Sequence, residues 1–153
     1  MKSQNAIRPQ GFFMDKFLMQ TGMAALLLLA SSAYAHGAEK EIESLHIGFL
    51  HPNGVDVFGY SSEKRINNTL YRFYTFGLPS IAAIGINYYA SGYGQNGFNA
   101  TIGAGIGSVA YLSLAYRWRL DATSNLKLGA GYTAGVAYSG AYPVLSYEHQ
   151  FSP

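Results

Sequence analysis

Apolar and polar residues alternate with a period of two through most of the chain after His36. In the clearest stretch, 98–106, phenylalanine, alanine and isoleucine alternate with asparagine, threonine and glycine. Successive side chains of a β-strand point to opposite faces, so this pattern predicts strands with one apolar and one polar face. The same alternation recurs at 110–120 and 125–133. Helical spacing would scatter these residues around a cylinder, and strands are therefore the better interpretation.

The alternation and the turn residues together predict eight strands. They lie near 44–51, 54–61, 69–77, 80–90, 97–106, 109–120, 125–137 and 141–151. The first two predicted connections are the turn Pro52-Asn53-Gly54 and the charged stretch from Ser62 to Asn68. Strands of about 9–11 residues cross a membrane when tilted, and eight strands form the smallest common barrel. The predicted fold is all-β, an eight-stranded antiparallel transmembrane β-barrel after a cleaved signal peptide.

Residues 1–35 read as an export signal. Lys16 gives a basic start, 23–30 an apolar stretch, and Ala33-Tyr34-Ala35 a small-x-small cleavage site before His36. The apolar stretch is about half the roughly 20 residues that a transmembrane helix needs. Met14 is an alternative translation start. We therefore expect the folded domain to be 36–153.

Composition narrows the class of protein further. The chain has no cysteine, which excludes disulfides and thiolate chemistry. After the signal, seven basic and seven acidic residues balance, so nothing predicts nucleic-acid binding. Charged residues make up 12% of the chain, against roughly 25% in ordinary soluble domains, while aromatic residues reach 15%. This balance is typical of a barrel wall that faces lipid.

The two faces of the strands distinguish a membrane barrel from a soluble one. Arg117 and Arg119 lie opposite the face that carries Leu112, Leu114 and Trp118. An apolar outside and a polar, glycine-rich lumen explain this better than a soluble barrel does. Aromatic residues near strand ends are expected to form interfacial girdles. The residues in question are Tyr88, Tyr89, Tyr116, Trp118, Tyr138 and Tyr142.

The last strand carries a recognisable pattern. Leu145, Tyr147 and Phe151 alternate with polar residues, which resembles the terminal assembly strand of Gram-negative outer-membrane proteins. With the signal and eight strands, the chain resembles the small barrels of the OmpA, OmpX and OmpW type. The resemblance implies a monomer in the bacterial outer membrane, in contact with lipid and lipopolysaccharide. It also implies periplasmic chaperones and the barrel-assembly machinery as partners during biogenesis.

No catalytic, cofactor-binding or metal-binding residue is predicted. Ser146, Glu148 and His149 are close in sequence, but by alternation the histidine points away from the other two. The positions of His46 and His51 differ by five, an odd number, which predicts opposite faces and argues against a shared metal site. The sequence therefore favours a protein that is not an enzyme. A lipid-A-modifying or acyl-chain-binding barrel and a soluble, lipocalin-like periplasmic binding protein remain as alternatives.

Inward-facing charges are the main candidates for a functional cluster. An unpaired charge in a narrow lumen is costly, so the basic residues are expected to pair with Asp56 or Glu148. The predicted lumen charge network consists of Asp56, Arg72, Arg117, Arg119, Lys127 and Glu148. An eight-stranded barrel is just wide enough for its own side chains, so no pore is expected. Inward glycines leave room for a small pocket unless Tyr89, Tyr111 and the arginines fill it.

Overall fold

A computed structural model describes residues 41–106, 110–135 and 139–151 of the chain. The predicted signal peptide, including its cleavage site, lies outside the described residues. In the described part the chain forms eight strands and no helix. They are β1 Glu41–His51, β2 Asp56–Arg65, β3 Leu70–Leu78, β4 Ile81–Tyr89, β5 Gly97–Gly105, β6 Ala110–Arg119, β7 Ser124–Ala134 and β8 Ser139–Gln150. Nothing among these residues is a helix long and apolar enough to cross a membrane.

The strands form one closed antiparallel barrel in chain order. Each strand pairs with the next, and β1 pairs with β8 from Ser44↔Gln150 to Phe49↔Leu145. Closure leaves no free sheet edge, so every strand has partners on both sides. We call the end where β1 begins and β8 ends the terminal end, and the opposite one the turn end. The connections 66–69, 90–96 and 120–123 lie at the terminal end.

The predicted alternation is confirmed on both faces of the wall. Leu112, Leu114 and Ile102 are exposed on the outside, while Ser113 and Thr101 are buried inside. The interior holds two small apolar clusters. One lies toward the turn end and contains Val55, Phe73, Ala83, Tyr111, Ala115, Tyr142 and Val144. The other lies toward the terminal end and contains Ile42, Tyr71 and Tyr89.

Most strand boundaries agree with the sequence prediction to within about three residues, but β2 does not. The stretch from Ser62 to Arg65 was expected in a loop and instead continues β2, paired with β1 and β3. The connection is shorter, because Asn67 organises it through its side-chain oxygen. That oxygen accepts hydrogen bonds from the backbone nitrogens of Thr69 and Leu70, each at 2.9 Å. The charged residues had the appearance of a loop although they belong to a strand.

Aromatic rings lie over glycines of the neighbouring strand. Tyr111 lies over Gly103 and Tyr142 over Gly131, and each pair is directly opposed in the sheet. A Cβ atom at either glycine would overlap the tyrosine ring. These glycines therefore let large rings lie flat against the inner wall. The space that they were predicted to leave is filled by Tyr111 and Tyr142.

We expect Gly103→Ala to destabilise the barrel by about 1–3 kcal/mol, because the new methyl group displaces the Tyr111 ring from a packed interior. Guanidinium unfolding of the refolded protein measures this loss. Ala100→Val, on the outer face of the same strand, is the control and should change the free energy of unfolding little. A Gly103→Ala variant as stable as the parent would contradict this packing.

Candidate functional site in the barrel lumen

The connection between β1 and β2 folds into the barrel rather than outward. Regular pairing stops at Ile47↔Phe58 and resumes at His51↔Asp56, so three residues of β1 face one residue of β2. Leu50 within this irregularity has φ 62°. His51, Asn53 and Asp56 are completely buried. Residues 50–56, called the inner hairpin, occupy the lumen, so the predicted turn at Pro52-Asn53-Gly54 is buried inside the barrel.

Side chains from three strands hold the tip of the inner hairpin. Asn53 Nδ2 donates to Glu63 Oε1 of β2 at 2.9 Å, and Asn53 Oδ1 accepts from Asn87 Nδ2 of β4 at 2.8 Å. The Tyr111 hydroxyl of β6 donates to the backbone carbonyl of Asn53 at 2.6 Å. Asn87 Oδ1 in turn accepts from Thr101 Oγ1 at 2.6 Å. The polar groups at the tip therefore have partners without any contact with bulk solvent.

His46 and His51 lie together inside the lumen. Their rings are stacked, with centroids 3.9 Å apart and planes 14° from parallel. The prediction that they face opposite sides is wrong, because the irregularity after Ile47 shifts the alternation before His51 is reached. His46 also lies directly opposite Gly59, whose missing side chain leaves space for the imidazole. No group of three or more potential metal ligands occurs among the described residues.

A buried ion pair lies beside the stacked histidines. Lys127 Nζ is 2.8 Å from Glu148 Oε2, and both side chains are almost completely buried. Lys127 Nζ is also 3.5 Å from His51 Nε2. Glu63 is a second buried carboxylate, and it accepts the Tyr89 hydroxyl at 2.8 and 2.9 Å. These residues form a polar layer between the two apolar clusters.

Four of the six predicted lumen charges are buried inside the barrel: Asp56, Arg117, Lys127 and Glu148. Lys127 forms its ion pair with Glu148, and the contacts of Asp56 are different. Its Oδ1 accepts instead from the backbone nitrogen of Ser80 at 3.0 Å and from the Ser80 hydroxyl at 2.5 Å. Asp56 thereby ties the base of the inner hairpin to the turn between β3 and β4.

The other two predicted lumen charges lie elsewhere. Arg72 stands between the buried residues Tyr71 and Phe73, so it belongs to the outer face of β3. By alternation Arg119 belongs to the inward-facing series of β6, but it lies at the exposed end of the strand. Its guanidinium donates to the backbone carbonyls of Gly94, Asp121 and Ala122 at 2.7 to 3.1 Å. Arg119 therefore fixes loops at the rim, and the prediction is corrected for both arginines.

Arg117 organises the terminal end of the lumen. Its Nη2 donates to the carbonyls of Gly92 and Gln95 at 3.2 and 2.9 Å. Its guanidinium carbon lies 4.4 Å from the ring centroid of Tyr89 and 4.9 Å from that of Tyr93. The 90–96 connection thus folds over this mouth, and Gln150 Nε2 donates to the Tyr93 hydroxyl at 2.7 Å. Both ends of the lumen are occupied by the protein's own residues.

The exposed loop beside Arg119 has an electrostatic feature of its own. The backbone nitrogen of Thr123 donates to Asp121 Oδ1 at 2.7 Å, and that of Ser124 donates at 2.8 Å. These hydrogen bonds favour the ionised form and hold the pKa of the Asp121 carboxyl below its usual range. The carboxylate shapes this turn and takes no part in the lumen cluster.

A serine, a histidine and an aspartate lie next to one another in the lumen, in the order of a catalytic triad. Their burial indicates a structural role. Ser61 Oγ is 3.4 Å from His46 Nδ1, and His46 Nε2 is 4.0 Å from Asp56 Oδ2. Ser61 is completely buried and donates to Thr75 Oγ1 at 3.1 Å. A nucleophilic serine must be reachable by substrate, and this one is not. Ser146 and Glu148 are likewise buried, whereas His149 is exposed beside Ser124.

Sequence reasoning missed three participants of this cluster: Asn53, Glu63 and His51. Glu63 had a usable signal, because extending the inward series Gly59, Ser61 by two residues reaches it. Asn53 and His51 had none, because a turn sequence normally predicts an exposed connection.

The fold and its interior define a small closed β-barrel with a filled, polar lumen. Comparison with known protein families, with curated proteins and with solved structures found no match.

Proposed function

We propose that the protein is a small outer-membrane β-barrel that contributes to the structure of the bacterial envelope. One observation carries the proposal: large apolar side chains are exposed around the wall, whereas the interior holds Glu63, Lys127 and Glu148. In water such a wall would be an apolar patch far beyond the few hundred Å² that soluble monomers expose. In lipid the same wall is solvated, and the three buried charged side chains have polar partners inside the barrel.

The lengths of the strands support this placement. The described strands have 9 to 12 residues, close to the roughly 9–11 that a tilted strand needs to cross the hydrocarbon. The outward residues at mid-strand are aliphatic on six of the strands and tyrosine on β2 and β3; the aliphatic ones include Ile47, Ile84, Ile102, Leu114, Leu128 and Leu145. A barrel of this height matches the apolar band of about 25 Å in outer-membrane barrels.

The distribution of charge supports an orientation. Outward or rim charges lie near the terminal end: Glu41, Glu43, Lys64, Arg65, Arg72, Arg119 and Asp121. The connections at the turn end contain no charged residue in the sequence outside the inner hairpin. We place the terminal end in the aqueous periplasm and the turn end toward the outer leaflet. Short turns then face outward, which leaves little protein beyond the membrane.

Aromatic residues add an interfacial belt at the terminal end. Tyr88, Tyr116, Trp118 and Tyr147 lie on the outer face near that end. Amphipathic rings prefer the headgroup level of a membrane. Two residues expected in a girdle do not belong to it, because Tyr89 and Tyr142 are buried in the lumen. Tyr138 lies outside the described residues.

The partners follow from this placement. Outer-membrane lipid and lipopolysaccharide would cover the apolar wall, and a monomer suffices because the barrel is closed. Leu145, Tyr147 and Phe151 are exposed on or just after β8, where periplasmic chaperones and the barrel-assembly machinery would bind them during biogenesis.

The charged lumen does not favour a lipocalin-like binder, whose cavity would be apolar. The buried Ser61 gives the lipid-A-modifying alternative no accessible nucleophile.

Fractionation of cells that express the full chain tests the proposal. We expect mature protein in the outer-membrane fraction, retained after washing with high salt and urea and released by detergent. Retention follows from the apolar wall, because salt and urea leave lipid contacts largely intact. Recovery of folded protein from the soluble periplasmic fraction without detergent would overturn the proposal.

A further inference from the structure

Two of the three residues other than glycine that have a positive φ in the described part of the chain flank the turn of the inner hairpin; the third is Ile81, with φ 69°. Leu50 and Val55, which flank the turn, have φ values of 62° and 57°. The left-handed region is rare for residues other than glycine, and a β-branched residue such as Val55 is a true outlier there. Conformations of this kind persist only where surrounding contacts impose them, and they cluster at switches and ligand clamps. Leu50 and Val55 both pack against the apolar cluster near the turn end.

The tip of the inner hairpin contacts the barrel wall through hydrogen bonds that involve side chains, and not through backbone pairing with a strand. The turn itself has two local backbone hydrogen bonds, both accepted by the His51 carbonyl. The tip is otherwise held by Glu63, Asn87 and Tyr111. Water can take the place of each of these partners, because all of them are polar. Withdrawal of the hairpin would therefore hydrate these groups and release the strain at both flanking residues.

The lumen holds more than the side chains of the wall. An eight-stranded barrel has an interior that such side chains just fill. Here the backbone of the whole hairpin also fits inside, between β2, β4 and β6. The surfaces that it covers carry Glu63, Asn87, Thr75 and Thr101, and the Lys127–Glu148 pair lies beside them. Such a surface suits water and small ions of either sign.

We infer that the inner hairpin is a gate, and that its withdrawal toward the turn end opens the lumen to small inorganic ions. The inference rests on the proposed function, because a gate acts only in a barrel that spans a membrane. The terminal mouth holds a second constriction at Tyr93, which is partly exposed and lies between Gly92 and Gly94, both at positive φ. The inner hairpin is the main barrier, since it occupies the middle of the lumen.

Conductance in planar lipid bilayers tests the gate with three proteins in potassium chloride. The first is the parent chain, and the second is Tyr93→Ser, which relieves the terminal mouth. The third adds to Tyr93→Ser the replacement of residues 49–56 by Asn-Gly, a sequence that closes a two-residue hairpin directly. We expect stable ion conductance from the third protein and almost none from the first two. Equal conductance from Tyr93→Ser alone, or none from the third protein, would overturn the gate.

Folding and insertion are checked separately, so that this failure is distinguishable from failure of the proposed function. Each protein must float with liposomes and shift in mobility on boiling before its conductance is interpreted. A parent chain that does not float with liposomes contradicts the membrane placement. A third protein that floats and shifts but does not conduct contradicts the gate alone.

Chemical labelling keeps the inference testable if the shortened chain does not fold. The chain has no cysteine, so Ser113→Cys introduces a single lumen thiol at a side chain that is 3% exposed. Cysteine is close to serine in size, which makes the replacement mild. Adding Asn53→Ala should speed labelling by a small water-soluble thiol reagent about tenfold, because two tethering hydrogen bonds are lost. An unchanged labelling rate would overturn the gate.

Discussion

Replacing Lys127 by methionine should destabilise the barrel by about 3–5 kcal/mol, the cost of removing one partner from a buried ion pair. Lys127 Nζ is 2.8 Å from Glu148 Oε2, and neither side chain can reach solvent. Without the lysine, Glu148 keeps a negative charge beside the second buried carboxylate, Glu63, or takes up a proton. Either outcome lowers the free energy of unfolding, which guanidinium denaturation of the refolded barrel measures.

The double variant Lys127→Met/Glu148→Gln is the matched control. Removing both charges of a buried pair is often neutral, because the desolvation penalty disappears with them. We expect the double variant to recover most of the stability that Lys127→Met alone loses. A single variant that loses less than about 1 kcal/mol would mean that Glu148 is hydrated in solution, which contradicts the closed lumen.

Introducing an arginine at mid-strand on the outer face, Leu114→Arg, should cost about 2–4 kcal/mol in a bilayer, the range for a cation at the midplane of a barrel wall. Leu114 lies at the middle of β6, and its side chain is 55% exposed. Lipid cannot hydrate a guanidinium there. The free energy of unfolding of the barrel in lipid vesicles is the appropriate measurement, because detergent micelles deform around a charge.

Leu120→Arg is the control, because it places the same charge at the end of the same strand, at a different depth in the membrane. Leu120 is 57% exposed, much like Leu114, but it lies just after β6 at the terminal end. A cation at the membrane interface costs about 0–1 kcal/mol. In a soluble barrel both substitutions would be surface changes within about 0.5 kcal/mol of the parent. A difference between the two positions therefore supports lipid around the wall, and equal values would contradict it.

The number of strands and their two faces could be predicted because the signal is local and repeated. Within β6 or β7 a single register fixes the direction of every side chain, so Lys127 and Arg117 were assigned to the inside. The assignment of Arg72 failed because aromatic residues occupy both faces of β3. β3 therefore has no single apolar face from which its register could be predicted.

The site was less predictable because it depends on an irregularity. The extra residues after Ile47 bring His51 to the same side as His46, although their separation in sequence predicts opposite sides. The same irregularity turns Asn53 inward. Arg119 has the inward parity that alternation gives it, yet it lies beyond the end of the lumen. Alternation thus predicts which face a side chain points to along a regular strand. It does not predict where bulges occur or how far along the barrel a residue lies.

The central claim is that a closed barrel spans the outer membrane, and heat-modifiability tests it most directly. Outer membranes are extracted with detergent, and boiled and unboiled samples are compared on a denaturing gel. A closed hydrogen-bonded barrel resists dodecyl sulfate at room temperature, so we expect the unboiled protein to migrate differently from the boiled one. Identical mobility of the two samples, with the protein recovered in the soluble fraction, would contradict the account.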